Sequence, residues 1–137
     1  MIKMFKHNIV YTDFNGTERN EDFYFHLSTP EVTRLEAEIG KPIDQYTQDL
    51  AANQDMKALL DFLEKIILNS YGKKTSDGKS FHKSKSLREE FEYSQAYAEL
   101  FEQLLTNPEL SKRFAEGVTN NGKAKKNQVA PQVVSQQ

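Results

Sequence analysis

Three histidines, His7, His26 and His82, are the side chains best suited to proton transfer or metal ligation, and no cysteine accompanies them. Thiolate nucleophiles, disulfides and cysteine metal sites are therefore excluded. His7 and His26 fall in a segment that reads as a β-hairpin, on opposite faces, so they should not meet. Asp77, His82 and His26 lack the spacing of His-Glu-x-x-His or of an EF-hand loop. The carboxylate pairs Glu21-Asp22 and Glu89-Glu90 are neighbours in sequence and diverge in direction on a strand or a helix, so they read as solvated charges rather than as an acid/base pair. No serine stands in a nucleophile-elbow context. The expectation is no catalytic residue, no cofactor and no metal.

The chemically loaded stretch is 72–88. It carries Lys73, Lys74, Lys79, Lys83, Lys85 and Arg88 against one acid, Asp77. Five residues separate Gly72 from Gly78-Lys79, one too many for a P-loop, and no buried strand is expected before it. Tyr71 and Phe81 flank the cations as stacking faces. Three readings stay open: a solvated loop balancing the acidic helix that follows, a contact for an acidic protein, or a nucleic-acid contact. With 18 basic and 20 acidic residues, the chain's net charge of −2 disfavours nucleic acid.

The elements that position this stretch follow from periodicity. Residues 3–27 alternate, with Phe5, Ile9 and Tyr11 on one arm and Phe23, Phe25 and Leu27 on the other, about Asn15-Gly16. A two-residue loop would put the two apolar sets on opposite faces. A three-residue loop, Phe14–Gly16 or Asn15–Thr17, pairs odd with odd residues and unites them, so it is preferred. Ser28-Thr29-Pro30-Glu31 starts a helix with capping-box spacing, ended by Gly40 and Pro42. Residues 43–54 read as a short, weakly signalled helix. Asp55 caps a helix from Met56 to about Tyr71, with a stripe of Met56, Leu59, Leu60, Leu63, Ile66 and Ile67. Phe62 and Leu68 widen that stripe. Residues 73–85 read as a polar loop. Ser86 and Glu89 form a second capping box before one helix through Leu105. A last short helix runs from Pro108 to Glu116 and ends at Gly117.

Only 37% of residues are hydrophobic, so nine Phe and six Tyr must supply the bulk of any core. Residues 119–137 contain neither aromatic nor acidic side chains and read as a disordered polar, basic tail. The fold class expected is α+β: an N-terminal hairpin packed on a mainly helical bundle of four to five helices, with residues 1–118 as one domain and 119–137 as the tail. Residues 1–14 lack the apolar core of a signal peptide, and no window is long enough to span a membrane, so a soluble intracellular protein is expected.

Tyr71-Gly72, Asp77-Gly78 with Phe81-x-Lys83, Phe91, Ala96-Tyr97 with Leu100-Phe101, and Phe114 before Gly117 resemble the tail-assembly chaperones of bacteriophages with long non-contractile tails. Asp13-Phe14-Asn15-Gly16 and Glu21-Asp22-Phe23-Tyr24-Phe25 resemble the start of the same family. The resemblance spans residues 8–117. It implies a non-enzymatic protein of the host cytoplasm, absent from the mature virion. Such a protein binds the tape measure protein, keeps it soluble and helps recruit the major tail (tube) protein. Gly122-Lys123 and Lys125-Lys126 are dipeptides that slippery codons can encode, and relatives make a frameshifted longer product. The residues expected to meet a partner are Phe62, Leu68, Phe81, Tyr97 and Phe101 through apolar contact, and Lys79 and Lys83 through acidic groups. A free hairpin edge would allow a homo-oligomer. The alternative function is a nucleic-acid-associated accessory protein using loop 72–88.

Overall fold

The computed structural model describes residues 4–119. Strands β1 (Phe5–Thr12) and β2 (Glu18–Phe25) pair antiparallel from Phe5↔Phe25 to Thr12↔Glu18, odd with odd. The connection is the three-residue loop Phe14–Gly16. Asp13 N–H donates to Thr17 O at 2.9 Å, and Gly16 takes the left-handed conformation, φ 82°, that such a loop demands. The Asp13 carboxylate accepts from the amides of Asn15 and Thr17 and from Arg19 Nε. The Arg19 contact, ahead of those amides, holds its carboxyl below the ordinary value. The register places Ile9 and Phe25 on one face, both fully buried, while Lys6, Asn8 and Val10 face outward.

Helix α1 (Thr29–Ile39) opens on the Ser28–Glu31 capping box, with both hydrogen bonds formed, and closes on Gly40. The 43–54 segment is helical as α2 (Ile43–Ala52). The Glu36 carboxylate accepts from its first amide, Ile43 N–H, at 2.9 Å. Helix α3 (Met56–Ser70) is capped by Asp55, whose carboxylate accepts from Ala58 N–H; Met56, expected on the apolar stripe, is 59% exposed in the first turn.

Here the structure departs from the sequence reading. Helix α3 stops at Ser70, whose carbonyl accepts from His26 N–H at 2.7 Å. Tyr71–Lys74 is strand β3, which continues the sheet through Tyr24↔Gly72 and Phe25↔Tyr71. Phe81–His82 is strand β4, paired to it through Lys73↔His82 and Lys74↔Phe81. The expected polar loop is thus a second hairpin, and the sheet order is β1-β2-β3-β4. Thr75 and Asp77 tie its turn together: Thr75 Oγ1 donates to Asp77 Oδ1 at 2.6 Å, and the same oxygen accepts from Lys79 N–H. Gly72 permits the close approach. A Cβ at this position would lie 2.6 Å from His82 O and 2.7 Å from the Phe81 ring.

The expected helix 87–105 is two helices, α4 (Lys85–Glu92) and α5 (Gln95–Thr106). Ser84, not Ser86, caps α4 by accepting from Leu87 N–H. Ser94 divides the pair. Its hydroxyl donates to Phe91 O at 2.7 Å and accepts from Tyr97 N–H, offering the backbone an alternative to the helical ladder. Residues 108–119 form helix α6, which passes through Gly117. A Cβ there would lie 2.5 Å from the Phe5 ring, so the bare backbone lets β1 seat on the helix. Thr119, expected to start the tail, is helical and buried, its Oγ1 donating to Ala115 O. The rest of the expected tail, 120–137, lies outside the described residues.

The core is aromatic. Phe25 packs edge-on to both Phe91 and Phe114, at 5.8 and 5.3 Å between ring centroids, and Phe5 meets Phe114 at 5.3 Å. Tyr71 and Phe91 stack at 4.4 Å. Burying each such ring stabilises by about 1.5–3 kcal/mol, so this cluster fastens the sheet to α4 and α6. Helix α5 covers β1, where His7 Nε2 bonds Gln103 Oε1 at 2.9 Å, and α2 packs on α3 through Tyr46 and Phe62. His7 faces inward and His26 lies on the other side near Phe81, as the register requires.

Candidate partner-binding site

The residues expected to meet a partner occupy different surroundings. Phe62 lies in the core, 7% exposed, edge-on to Tyr46 at 4.8 Å; little of its ring is available at the surface. Tyr97 and Phe101 are half-buried neighbours on α5, with rings 5.8 Å apart. Tyr97 also packs on Phe91 and donates to Glu64 Oε2 at 3.3 Å. Burial and the Glu64 carboxylate push its phenol pKa up. Lys79 is exposed at the tip of the β3–β4 hairpin. Phe81 is half-buried on β4, between His26 and the aliphatic reach of Lys83, whose Nζ lies 5.9 Å from the ring centroid. Only Leu68 and Lys83 line the same depression.

That depression is a groove of about 350 Å³ between α1, the end of α3 and the start of α4. Its apolar lining is Leu27, Leu35 and Leu68, with Tyr71 at the base. Its charged lining is Arg34, Lys65, Lys83, Lys85 and Arg88 against Glu31 and Glu38. Lys83 Nζ meets both oxygens of Glu31, at 2.8 and 2.9 Å, so the capping glutamate of α1 also fastens the β4–α4 connection across the groove wall. Burial opposes ionisation of Glu31, but the Lys83 ammonium and the Ser28 amide outweigh it and hold the carboxyl below its ordinary value. Burial lowers the Lys83 ammonium in turn, against the attraction of Glu31. Lys65 pairs with Glu38 at 3.3 Å. Among the described residues, Arg34 and Arg88 make no ion pair, which leaves two guanidinium groups for an incoming anion.

Lys85 and Arg88 belong to the basic stretch visible in the sequence. Arg34 and Lys65 do not, because they come from two other helices and only the fold brings them alongside. Their one local signal was an outward position on helices whose other face is apolar.

A second groove, about 630 Å³, opens where β2 leaves β3. The two strands pair only at Tyr24 and Phe25, so the preceding part of β2 diverges from β3. Tyr11, Phe23 and Phe91 line the gap, with Glu21, Lys73, Lys74 and Glu90 around it. Tyr11 donates to Glu21 Oε1 at 2.6 Å, and burial with that bond pushes its phenol up to about 12. Among the described residues no cluster of His, Asp and Glu could hold a metal ion, and no helix is long and apolar enough to cross a membrane.

A family described as phage tail assembly chaperone matches residues 4–133. The chain belongs to the phage tail assembly chaperone family. The match embraces the hairpin, both grooves and all the helices described above, and reaches beyond the 8–117 over which the resemblance was traced. No curated protein and no solved structure matches the chain.

Proposed function

We propose that this chaperone binds the tape measure protein of its phage, keeps it soluble before the tail tube encloses it, and helps recruit tube subunits. The observation that carries the reading is the family match over residues 4–133. Physical logic supports it. A long helical protein exposes apolar seams until its sheath is built, and exposed seams aggregate. A small partner with charged surfaces and apolar grooves can cover them transiently and keep the complex dispersed. The role is non-enzymatic, exercised in the host cytoplasm and ended before the virion is complete.

Co-expression with the large helical protein encoded beside it tests this reading. The expected outcome is a soluble tape measure protein that co-purifies with the chain in moderate salt. A tape measure protein that stays insoluble while the chain purifies alone would sink it.

A further inference from the structure

We infer that the groove between α1, α3 and α4 is the docking site for an acidic segment of the partner that carries apolar side chains; the inference rests on the chaperone reading above. Charge complementarity carries it. Five cations line the groove against two carboxylates, in a chain whose net charge is −2, so positive charge is concentrated here against the overall balance. Two of the acids are already matched, Glu31 by Lys83 and Glu38 by Lys65. The guanidinium groups of Arg34 and Arg88 are left over, and a guanidinium fork suits a carboxylate.

Beneath them half-buried Leu68 presents aliphatic surface that an apolar anchor would cover, while Leu27 and Leu35 belong to the core, 2% and 6% exposed. The volume admits only a few side chains, so the occupant is a short stretch rather than a long seam. Nucleic acid fits less well. Tyr71, the aromatic lining the groove, is 7% exposed and offers no open face on which a base could stack.

The test compares the full-length chain with Arg34→Glu/Arg88→Glu and with a control, Lys73→Glu/Lys74→Glu, at the other groove. Each is titrated with the tape measure protein and, separately, with a synthetic Glu/Leu-rich peptide. Circular dichroism melts check folding, and Arg34→Gln/Arg88→Gln replaces the reversal if that variant unfolds. The expected result is binding by the wild type that weakens with added salt, a loss of about tenfold or more in the groove variant, and none in the control. If the tape measure protein binds wild type and groove variant equally, the docking site is wrong and the chaperone reading stands. If the tape measure protein does not bind but the acidic peptide does so through Arg34 and Arg88, the chaperone reading fails and the groove's chemistry survives. Failure of the wild type to bind the peptide overturns the groove assignment. So does preferential capture of an oligonucleotide, or self-association of the wild type that the groove variant abolishes.

Discussion

Replacing Gly72 by alanine probes the seat of the second hairpin. The added Cβ would sit 2.6 Å from His82 O, 2.7 Å from the Phe81 ring and 3.1 Å from Lys83 Cγ. Comfortable carbon contacts lie at about 3.5–4.0 Å, so nearly 1 Å must be found. One of the obstructing atoms is a backbone carbonyl of the strand paired to β3, which cannot swing aside as a side chain would. Overpacking costs about 1–3 kcal/mol, and a backbone clash belongs in the upper half of that range. Alanine returns about 0.4–1 kcal/mol by restricting the unfolded chain, leaving a net loss of about 2 kcal/mol. In a domain of this size that lowers Tm by about 8 °C. Differential scanning calorimetry beside Gly78→Ala supplies the control. Gly78 has φ 76° but nothing within 4 Å of its Cβ position, so alanine there meets only the left-handed penalty of about 1 kcal/mol. If Gly72→Ala melts at the parent's temperature, or above Gly78→Ala, then β4 does not rest on Gly72 and the groove wall carrying Lys83 is placed wrongly.

Phe25→Ala removes a fully buried ring that joins β2 to both α4 and α6, and denaturant titration should show a loss of about 3–5 kcal/mol. Ser94→Ala deletes the hydroxyl that divides α4 from α5 and should cost about 1 kcal/mol by the same measurement; an unchanged midpoint would mean the break does not depend on that cap. The Glu31 carboxyl is held below its ordinary value of 4.5, so the unfolded chain binds more protons in the acid range and stability rises with pH there. Its contribution is complete above pH 4.5 and is lost as pH falls through the folded-state value. Glu31→Gln should therefore flatten the acid limb of a Tm-against-pH curve, and an unaltered slope would show that Lys83 does not hold that carboxylate.

Elements written in local pattern were legible, and those set by distant neighbours were not. The hairpin register followed from odd-numbered apolar residues on both arms, because one shared face can be buried only with a three-residue loop. Ser28 and Asp55 announced their helices through cap chemistry alone. Strand β4, by contrast, is two residues long and bracketed by lysines and serines, and it exists because Gly72 lets it approach β3. Ser94 was silent because the apolar spacing from Phe91 to Leu104 runs on as though the helix were unbroken. Gly117 reads locally as a stop, yet Phe5, more than a hundred residues away, seats against it and the helix continues. The candidate site was half visible for the same reason: Lys83, Lys85 and Arg88 share one stretch, while Arg34 and Lys65 reach the groove only through the packing of α1 and α3.

The dependence of the hairpin on α6 also sets an order of events during synthesis. Phe5 and Phe25 rest on Phe114, and Leu27 N–H donates to Val118 O at 3.0 Å. The hairpin leaves the ribosome before the helices, yet the last part of its cover lies about 90 residues downstream, which at a translation rate of about 5–20 residues per second is a wait of roughly 5–20 s. Through that interval the aromatic sheet face at Phe5 and Phe25 lacks Phe114. Helix α6 is the lid that closes it, and a ribosome stalled before Leu110 would hold a hairpin still lacking that lid.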